Sequence, residues 1–215
     1  MSSQAGPLWT RARLERVMRL RFGTNQRGHA NTAAAADALG VSQRTVQRWL
    51  HGAHGRSRAH LPPARLEQLI GLLLPSEDTR RREGHQAVYA AEAIEKLTLG
   101  KGGARQMWQR QRWLEPHLVV VIETGHRRDQ KIRQIAVNRV SSTKNPIARR
   151  GTVIDQVVVP TRFHATVLVH HVLTALQPWR FQAGPGDVEA GFTQAWLADA
   201  PATQLGRDAS HLGLS

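Results

Sequence analysis

The sequence has no cysteine among its 215 residues, so disulfide bonds and thiolate metal ligands are excluded. It also has no apolar run close to the roughly 18 residues that a transmembrane helix needs, and we expect no membrane partner. Acidic residues are scarce, 16 against 30 Lys and Arg, which leaves a net charge of +14. These shortages predict a cytoplasmic, nucleoid-associated protein that binds a polyanion.

The positive charge is concentrated in the first three quarters of the chain. Residues 1–116 carry 19 Lys and Arg against 9 Asp and Glu, and residues 117–160 carry 8 against 3. Residues 161–215 carry 3 against 4. Such a field attracts nucleic acid and adds affinity through the release of counterions. The distribution therefore favours double-stranded DNA as the partner.

The segment TAAAADALGVSQRTVQRWL, residues 32–50, has the pattern of a helix-turn-helix, which places its second helix in the major groove of DNA. We expect Thr32 to cap the first helix. Gly40 suits the left-handed conformation of the turn, which other residues adopt at a cost. Ser42 is the expected cap of the second helix.

The second helix of this segment is expected to bury one face and expose the other. Val46 and Trp49 are three residues apart and share a face, which should anchor the helix to a core. An ordinary helical hairpin accounts for the turn, but not for an outward face that is long, polar or cationic and free of acid. The DNA-binding residues predicted on this helix are Ser42, Gln43, Arg44, Thr45, Gln47 and Arg48.

Two other basic segments predict contacts with the DNA backbone. Arg56 and Arg58 lie in a loop rich in Gly, His and Arg that follows the second helix. Arg127 and Arg128 lie at the tip of a predicted hairpin. Arginines in loops of this kind bind phosphates without regard to sequence, and we expect them to add salt-dependent affinity.

No arrangement of residues predicts a catalytic centre, a metal site or a cofactor. His51, His54 and His60 form a cluster after the second helix, but the arginines between them would repel a divalent cation. The glycines of residues 100–103 lack the spacing of a phosphate-binding loop. Interleaved Arg and Trp in residues 105–113 are compatible with single-strand binding, although a tryptophan-containing core face is the favoured interpretation. We therefore predict that the protein is not an enzyme.

The pattern of elements predicts an α+β fold with a helical domain first. The segments HLVVVIET, KIRQIAVNRV and TVIDQVVVP are rich in β-branched residues and predict strands. The segment that starts at Pro160-Thr161 predicts a helix, although its valines also fit a strand. We expect a smaller second domain with three or more strands and one or two helices. The expected parts are a helix-turn-helix domain over 8–75, a basic helical connector over 76–116, an α+β domain over 117–200 and a disordered tail over 201–215.

The motif LGVSQRTVQRWLHG is similar to that of many bacterial helix-turn-helix proteins. With a short helix before it, an Arg-rich helical stretch after it, and strands that lead into VVVPTRFHATVLVHHVLTAL, the chain resembles the telomere-protecting terminal proteins of actinobacterial linear chromosomes and plasmids. The resemblance implies a role in maintaining or replicating DNA ends, with a replication or telomere-associated protein as partner. It also implies that a Ser or Thr hydroxyl accepts the 5′ phosphate of DNA. The candidate hydroxyls are Thr124, Ser141, Ser142, Thr143 and Thr152.

A transcriptional regulator is the alternative. In that case the second domain would form a homodimer or bind an effector, and the first would act as the DNA-binding head of a repressor. Both hypotheses share the same DNA-binding step. The basic excess that continues beyond residue 116 favours the first, because it suggests a second nucleic-acid surface.

Overall fold

The computed structural model describes residues 9–51, 61–100, 106–126, 130–141, 150–184, 188 and 190–214. Its contacts divide the chain into two compact units, Met1–Leu74 and Pro75–Ser215, which are called the head and the second unit below. Helices come first and strands later, so the predicted α+β class is confirmed. Across the described ranges, no helix combines the length and the apolar character that a membrane crossing requires.

The head consists of helices that pack on one another. Its helices are α1 over Arg11–Phe22, α2 over Thr32–Leu39, α3 over Gln43–His51 and α4 over Pro63–Leu73. Each of the first three helices contacts the other two, and α4 contacts α1 and α2. Arg65 on α4 donates a hydrogen bond of 2.8 Å to the carbonyl oxygen of Leu39, which ties α4 to the end of α2.

The core of the head comes from apolar residues at helical spacing. Leu14 and Met18 of α1 are fully buried, as are Leu39 of α2 and Val46 of α3. Small residues in α2, among them Ala35, let the helices approach closely. The apolar face predicted for α1 is therefore part of a shared core.

The second unit contains an antiparallel sheet with helices before and after it. The helices are α5 over Glu77–Thr98, α6 over Gln106–Arg110, α7 over Arg162–Ala175 and α8 over Leu205–His211. The strands are β1 over His117–His126, β2 over Gln130–Arg139, β3 over Thr152–Val159, β4 over Arg180–Phe181 and β5 over Ala195–Leu197. The three strands and the helix after Pro160 that the sequence predicts are confirmed.

The strand order is β3-β1-β2-β5-β4, and every neighbouring pair is antiparallel. Alternate residues of a strand point to opposite faces, and Val119 and Val121 of β1 lie in the same core cluster as Leu168 and Val172 of α7. The hydroxyl of Thr161 accepts hydrogen bonds from two backbone amides and caps α7. The sheet is thus covered on one face by α7.

The predicted connector over 76–116 is not a separate part of the chain. α5 packs along α7, and Phe163 of α7 makes edge-to-face contacts with Tyr89, Trp108 and Trp113. The buried guanidinium of Arg180 also donates to both carboxylate oxygens of Glu83 on α5, at 3.2 and 2.9 Å. These contacts make the second unit larger than the head, whereas the sequence predicted a smaller domain.

The prediction of a disordered tail over 201–215 is wrong. α8 forms there, and Leu205 and Ala209 are fully buried in the core of the second unit. Asp155 of β3 accepts a hydrogen bond of 2.9 Å from the backbone amide of Leu205 and so stabilises the first turn of α8. The apolar pattern of residues 201–215 is too short to predict a helix, because the first turn of this helix depends on a carboxylate 50 positions earlier.

We predict that Trp49→Ala destabilises the head by about 3–5 kcal/mol, because it leaves a cavity where an indole is 4% exposed. Hydrogen exchange measured by mass spectrometry on peptides from residues 11–51 would report the loss within the full chain. Gln47→Ala is the matched control on the same helix, and its exposed side chain should change stability by less than about 0.5 kcal/mol. Unchanged protection in Trp49→Ala would refute the anchoring role.

Candidate nucleic-acid interface

The turn between α2 and α3 is a tight turn through a left-handed glycine. Gly40 adopts φ 61° and ψ 42°, in the left-handed region that the sequence predicts. The backbone amide of Val41 donates to the carbonyl of Ala36 at 3.0 Å, which closes the end of α2. The hydroxyl of Ser42 accepts from the amide of Thr45 at 3.2 Å, so the predicted cap of α3 is confirmed.

The start of α2 differs from the expectation. Asn31 caps the helix, since its side-chain oxygen accepts from the amide of Ala34 at 3.2 Å. Thr32, the predicted cap, instead accepts a hydrogen bond of 3.0 Å from the side-chain amide of Gln43. This bond joins the first residues of α2 and α3, and it leaves the carbonyl oxygen and one N–H of the Gln43 side chain for a ligand.

The two faces of α3 are separated as predicted. Val46 is fully buried and Trp49 nearly so, whereas Arg44, Gln47 and Arg48 are exposed. Gln43 and Ser42 are exposed as well, while Thr45 is half-buried and its hydroxyl lies 2.9 Å from that of Ser42. A helix that exposes amides and guanidinium groups together can donate to and accept from base edges and bind phosphates.

The remaining predicted DNA contacts fall outside the described residues. These are Arg56 and Arg58 after α3, and Arg127 and Arg128 between β1 and β2. His54 and His60 also lie outside. Their roles stay predictions from the sequence.

A groove beside α3 is a feature that sequence reasoning missed. It has a volume of about 650 Å³ and lies between α3 and the loop Thr24–Ala30, which the sequence indicated only as a polar connection. Arg27 of this loop is exposed and lines the groove with Arg44 and Arg48. The signal in the sequence was Asn25 followed by Gly28, a pair typical of a structured turn.

The candidate acceptor hydroxyls of the second unit lie in different surroundings. The exposed hydroxyl of Ser141 donates to a carboxylate oxygen of Glu115 at 3.1 Å, and the guanidinium of Arg112 lies 3.5 Å from the same hydroxyl. Thr124 donates to a backbone carbonyl in the sheet, and Thr152 is exposed at the start of β3. Ser142 and Thr143 lie outside the described residues.

Two carboxylates in this basic region are held in their ionised form. The hydrogen bond from the Arg112 guanidinium lowers the pKa of Glu115 below its ordinary value. The hydrogen bond from the Lys131 ammonium, with Arg133 beside it, lowers the pKa of Glu123. Both carboxylates are therefore charged at neutral pH and partly offset the arginines and lysine around them.

The aromatic residues near α6 form a core, as the sequence favoured. Trp108 is 4% exposed, and its ring lies 4.8 Å from that of Phe163. The Trp108 indole nitrogen donates to the hydroxyl of Tyr89 at 3.1 Å, so the only tyrosine of the chain has a packing role. Because these rings are occupied with one another, they are not a platform for stacking bases.

Metal-ligating groups are not clustered in the described part of the chain: no three His, Asp or Glu side chains there could hold one ion. His164 lies next to Thr161, with 2.7 Å between its Nδ1 and the hydroxyl oxygen. His117 is buried at the start of β1, and its Nδ1 donates to the carbonyl of Glu115 at 2.8 Å. His117 is thus buried and His164 half-buried, and both have hydrogen-bond partners.

These two histidines predict how stability depends on pH. Burial lowers the pKa of His117 and of His164 below the ordinary 6.5, because it disfavours the charged imidazolium. The unfolded chain then takes up protons more readily than the native one, so stability is complete above about pH 6.5 and is lost as pH falls through the lower native pKa. The free energy of unfolding in urea should therefore decrease as the pH falls from about 6.5 to 5.5.

Replacing both histidines, His117→Asn with His164→Asn, should flatten this decrease, because asparagine keeps a hydrogen-bonding group and does not titrate. His171→Asn is the matched control, since His171 is exposed on the same helix as His164. Equal slopes for the double variant and the wild type would contradict the assignment.

Comparison with known proteins gives no match: neither a family model, nor a curated protein, nor a solved structure matches this chain. The resemblance to terminal proteins that the sequence indicates therefore stays a prediction, as does DNA binding by α3. What can be proposed for the chain comes from the geometry of its own residues.

Proposed function

We propose that this protein binds double-stranded DNA with sequence preference, by placing α3 in the major groove. One observation carries the proposal: a helix held in a helix-turn-helix turn exposes Arg44, Gln47 and Arg48 along a face that contains no acid. Arginine can pair with the edge of guanine and glutamine with that of adenine, each through two hydrogen bonds. The same face therefore combines groups that recognise bases with groups that bind the phosphate backbone.

The packing of α3 supports a reading role over a merely solvated surface. Sequence readout requires side chains on a rigid element, since mobile ones lose entropy on binding. Val46 and Trp49 hold α3 against the core, and the Gln43–Thr32 hydrogen bond fixes its first turn relative to α2. The exposed side chains thus project from a fixed backbone.

The charge distribution supports the same partner. The chain carries a net charge of +14, and the surplus lies in the head and in residues 75–160. Phosphate neutralisation by such a surface gives affinity that decreases steeply with salt. The biological role that we favour is maintenance or replication of DNA ends, because the basic surplus is not confined to the head. Transcriptional regulation by a homodimer is the alternative.

The surroundings of Ser141 favour a second candidate function, that of an acceptor of DNA. Its hydroxyl is exposed, is oriented by the ionised carboxylate of Glu115 and has the Arg112 guanidinium beside it to bind a phosphate. In such a step, the Ser141 oxygen would bond to the α-phosphate of a nucleotide held by a partner polymerase. Pyrophosphate would leave, and the hydroxyl proton would pass to Glu115 or to water.

The first experiment selects a binding site from a pool of random duplexes and compares variants on it. Gln47→Ala should weaken binding to the selected duplex by about 1–3 kcal/mol and reduce discrimination against single base-pair changes. Arg44→Ala should have a similar effect at its own base pair. Gln26→Ala, an exposed glutamine of the head outside α3, is the matched control. Unaltered discrimination in both α3 variants would exclude α3 as the recognition helix.

The second experiment tests covalent attachment. Protein extracted with denaturant from cells that naturally produce it should show a mass shift that nuclease removes, if Ser141 is an acceptor. Ser141→Ala should abolish the shift, whereas Thr152→Ala, which removes another exposed hydroxyl of the basic region, should retain it. Absence of the shift in wild-type protein that still binds a selected duplex would favour the regulator.

A further inference from the structure

The loop that joins α1 to α2, Thr24–Ala30, is held in one conformation by its own hydrogen bonds. Thr24 and Ala30 form a β-bridge, and the backbone amide of Asn25 donates to the carbonyl of His29 at 2.8 Å. The side-chain oxygen of Asn25 accepts from the amides of Arg27 and His29 at 3.0 and 3.1 Å. Gly28 has φ 81°, which completes the tight turn. The loop is therefore preorganised.

The loop and α3 form the two walls of the groove of about 650 Å³. Arg27 projects from the loop wall, and Arg44 and Arg48 project from the α3 wall. Among the described residues that line the groove, Glu15 is the only acid, and its carboxylate lies 3.3 Å from Nδ1 of His29. The groove thus has three guanidinium groups against one carboxylate, a charge pattern that attracts an anion.

We propose that the loop Thr24–Ala30 is a second DNA contact, in which Arg27 binds a backbone phosphate while α3 occupies the major groove. The proposal rests on the proposed function of α3 and extends it to a separate element. The major groove is about 12 Å wide and is bordered by phosphates on both sides. The loop lies beside α3, with the open groove of the protein between them. When α3 occupies the major groove of DNA, the loop would therefore meet the phosphates along one border of it.

The chemistry of Arg27 fits a phosphodiester. A guanidinium donates two parallel hydrogen bonds to the oxygens of a phosphate, and these bonds are stronger than neutral ones because both partners are charged. The side chain is exposed, and the hydrogen bonds to the phosphate replace most of those to water that it loses on binding. Contacts of this type fix the register of a protein on the duplex without reading its sequence.

Asn25 is a positioning residue in this arrangement. It does not supply charge, but its side-chain oxygen holds the amide of Arg27 and that of His29, on either side of the turn. Without it the loop would sample other conformations and Arg27 would lose entropy on binding. The affinity of the loop for phosphate should then decrease although the number of cations is unchanged.

The test measures the affinity of the full-length protein for a selected duplex and for a random-sequence duplex over a range of salt concentrations. Arg27→Ala should weaken binding to both duplexes on the order of tenfold and reduce the log–log salt slope by about 0.9, the value for one phosphate contact. Arg27→Lys should keep the slope, and Asn25→Ala should weaken binding with the fold intact by circular dichroism. The matched control is Arg21→Ala, which removes an exposed arginine outside the groove and should bind like the wild type.

Phosphate ethylation interference on the selected duplex gives a direct readout. The wild type should show interference at phosphates flanking the bases that α3 contacts, and Arg27→Ala should lose it at one or two of them. A wild-type slope and pattern in Arg27→Ala would overturn the proposal, as would an equal change of slope in Arg21→Ala. If the wild type binds no duplex at all, or if Gln47→Ala and Arg44→Ala both discriminate between sequences as the wild type does, it is the proposed function of α3 that fails.

Discussion

The burial of one face of α3 is the constraint on which the head depends. Val46 and Trp49 occupy the core, and this fixes the rotation of the helix about its own axis. Once that rotation is set, Gln47 and Arg48, which lie between them in the sequence, must face solvent. The left-handed turn at Gly40 sets the direction in which α3 leaves α2. Two apolar anchors and one glycine thus determine which polar groups the protein presents together.

Cations on this surface do not come from one element. α3 contributes two arginines to the groove, and the loop before α2 contributes Arg27 from a position 17 residues earlier than Arg44. The loop is closed by the bridge Thr24–Ala30, and α3 is held by its contacts with α1 and α2. The basic character of the groove is therefore a property of the folded head, although each charge can be counted in the sequence.

The features that could be predicted from the sequence are those that local chemistry determines. The turn at Gly40, the cap at Ser42 and the order of strands and helices follow from neighbouring residues. Two adjacent residues, Asn31 and Thr32, can cap α2; Asn31 is the cap, and Thr32 instead bonds to Gln43, 11 positions away. The last helix was missed for the same reason, since Asp155 stabilises its first turn from 50 positions earlier. The loop has local hydrogen bonds but no periodic pattern, and only its turn residues indicated that it is structured.

The capping of α8 by Asp155 has a consequence for how the chain folds as it is synthesised. The core of the head is complete once residue 73 has been made, so the head can fold while the rest is still being translated. The second unit cannot bury its sheet fully until Leu205 and Leu214 have emerged, long after β3. Until then, β3 is an edge strand that lacks its contacts with α8, and an unprotected edge strand is a site at which nascent chains aggregate.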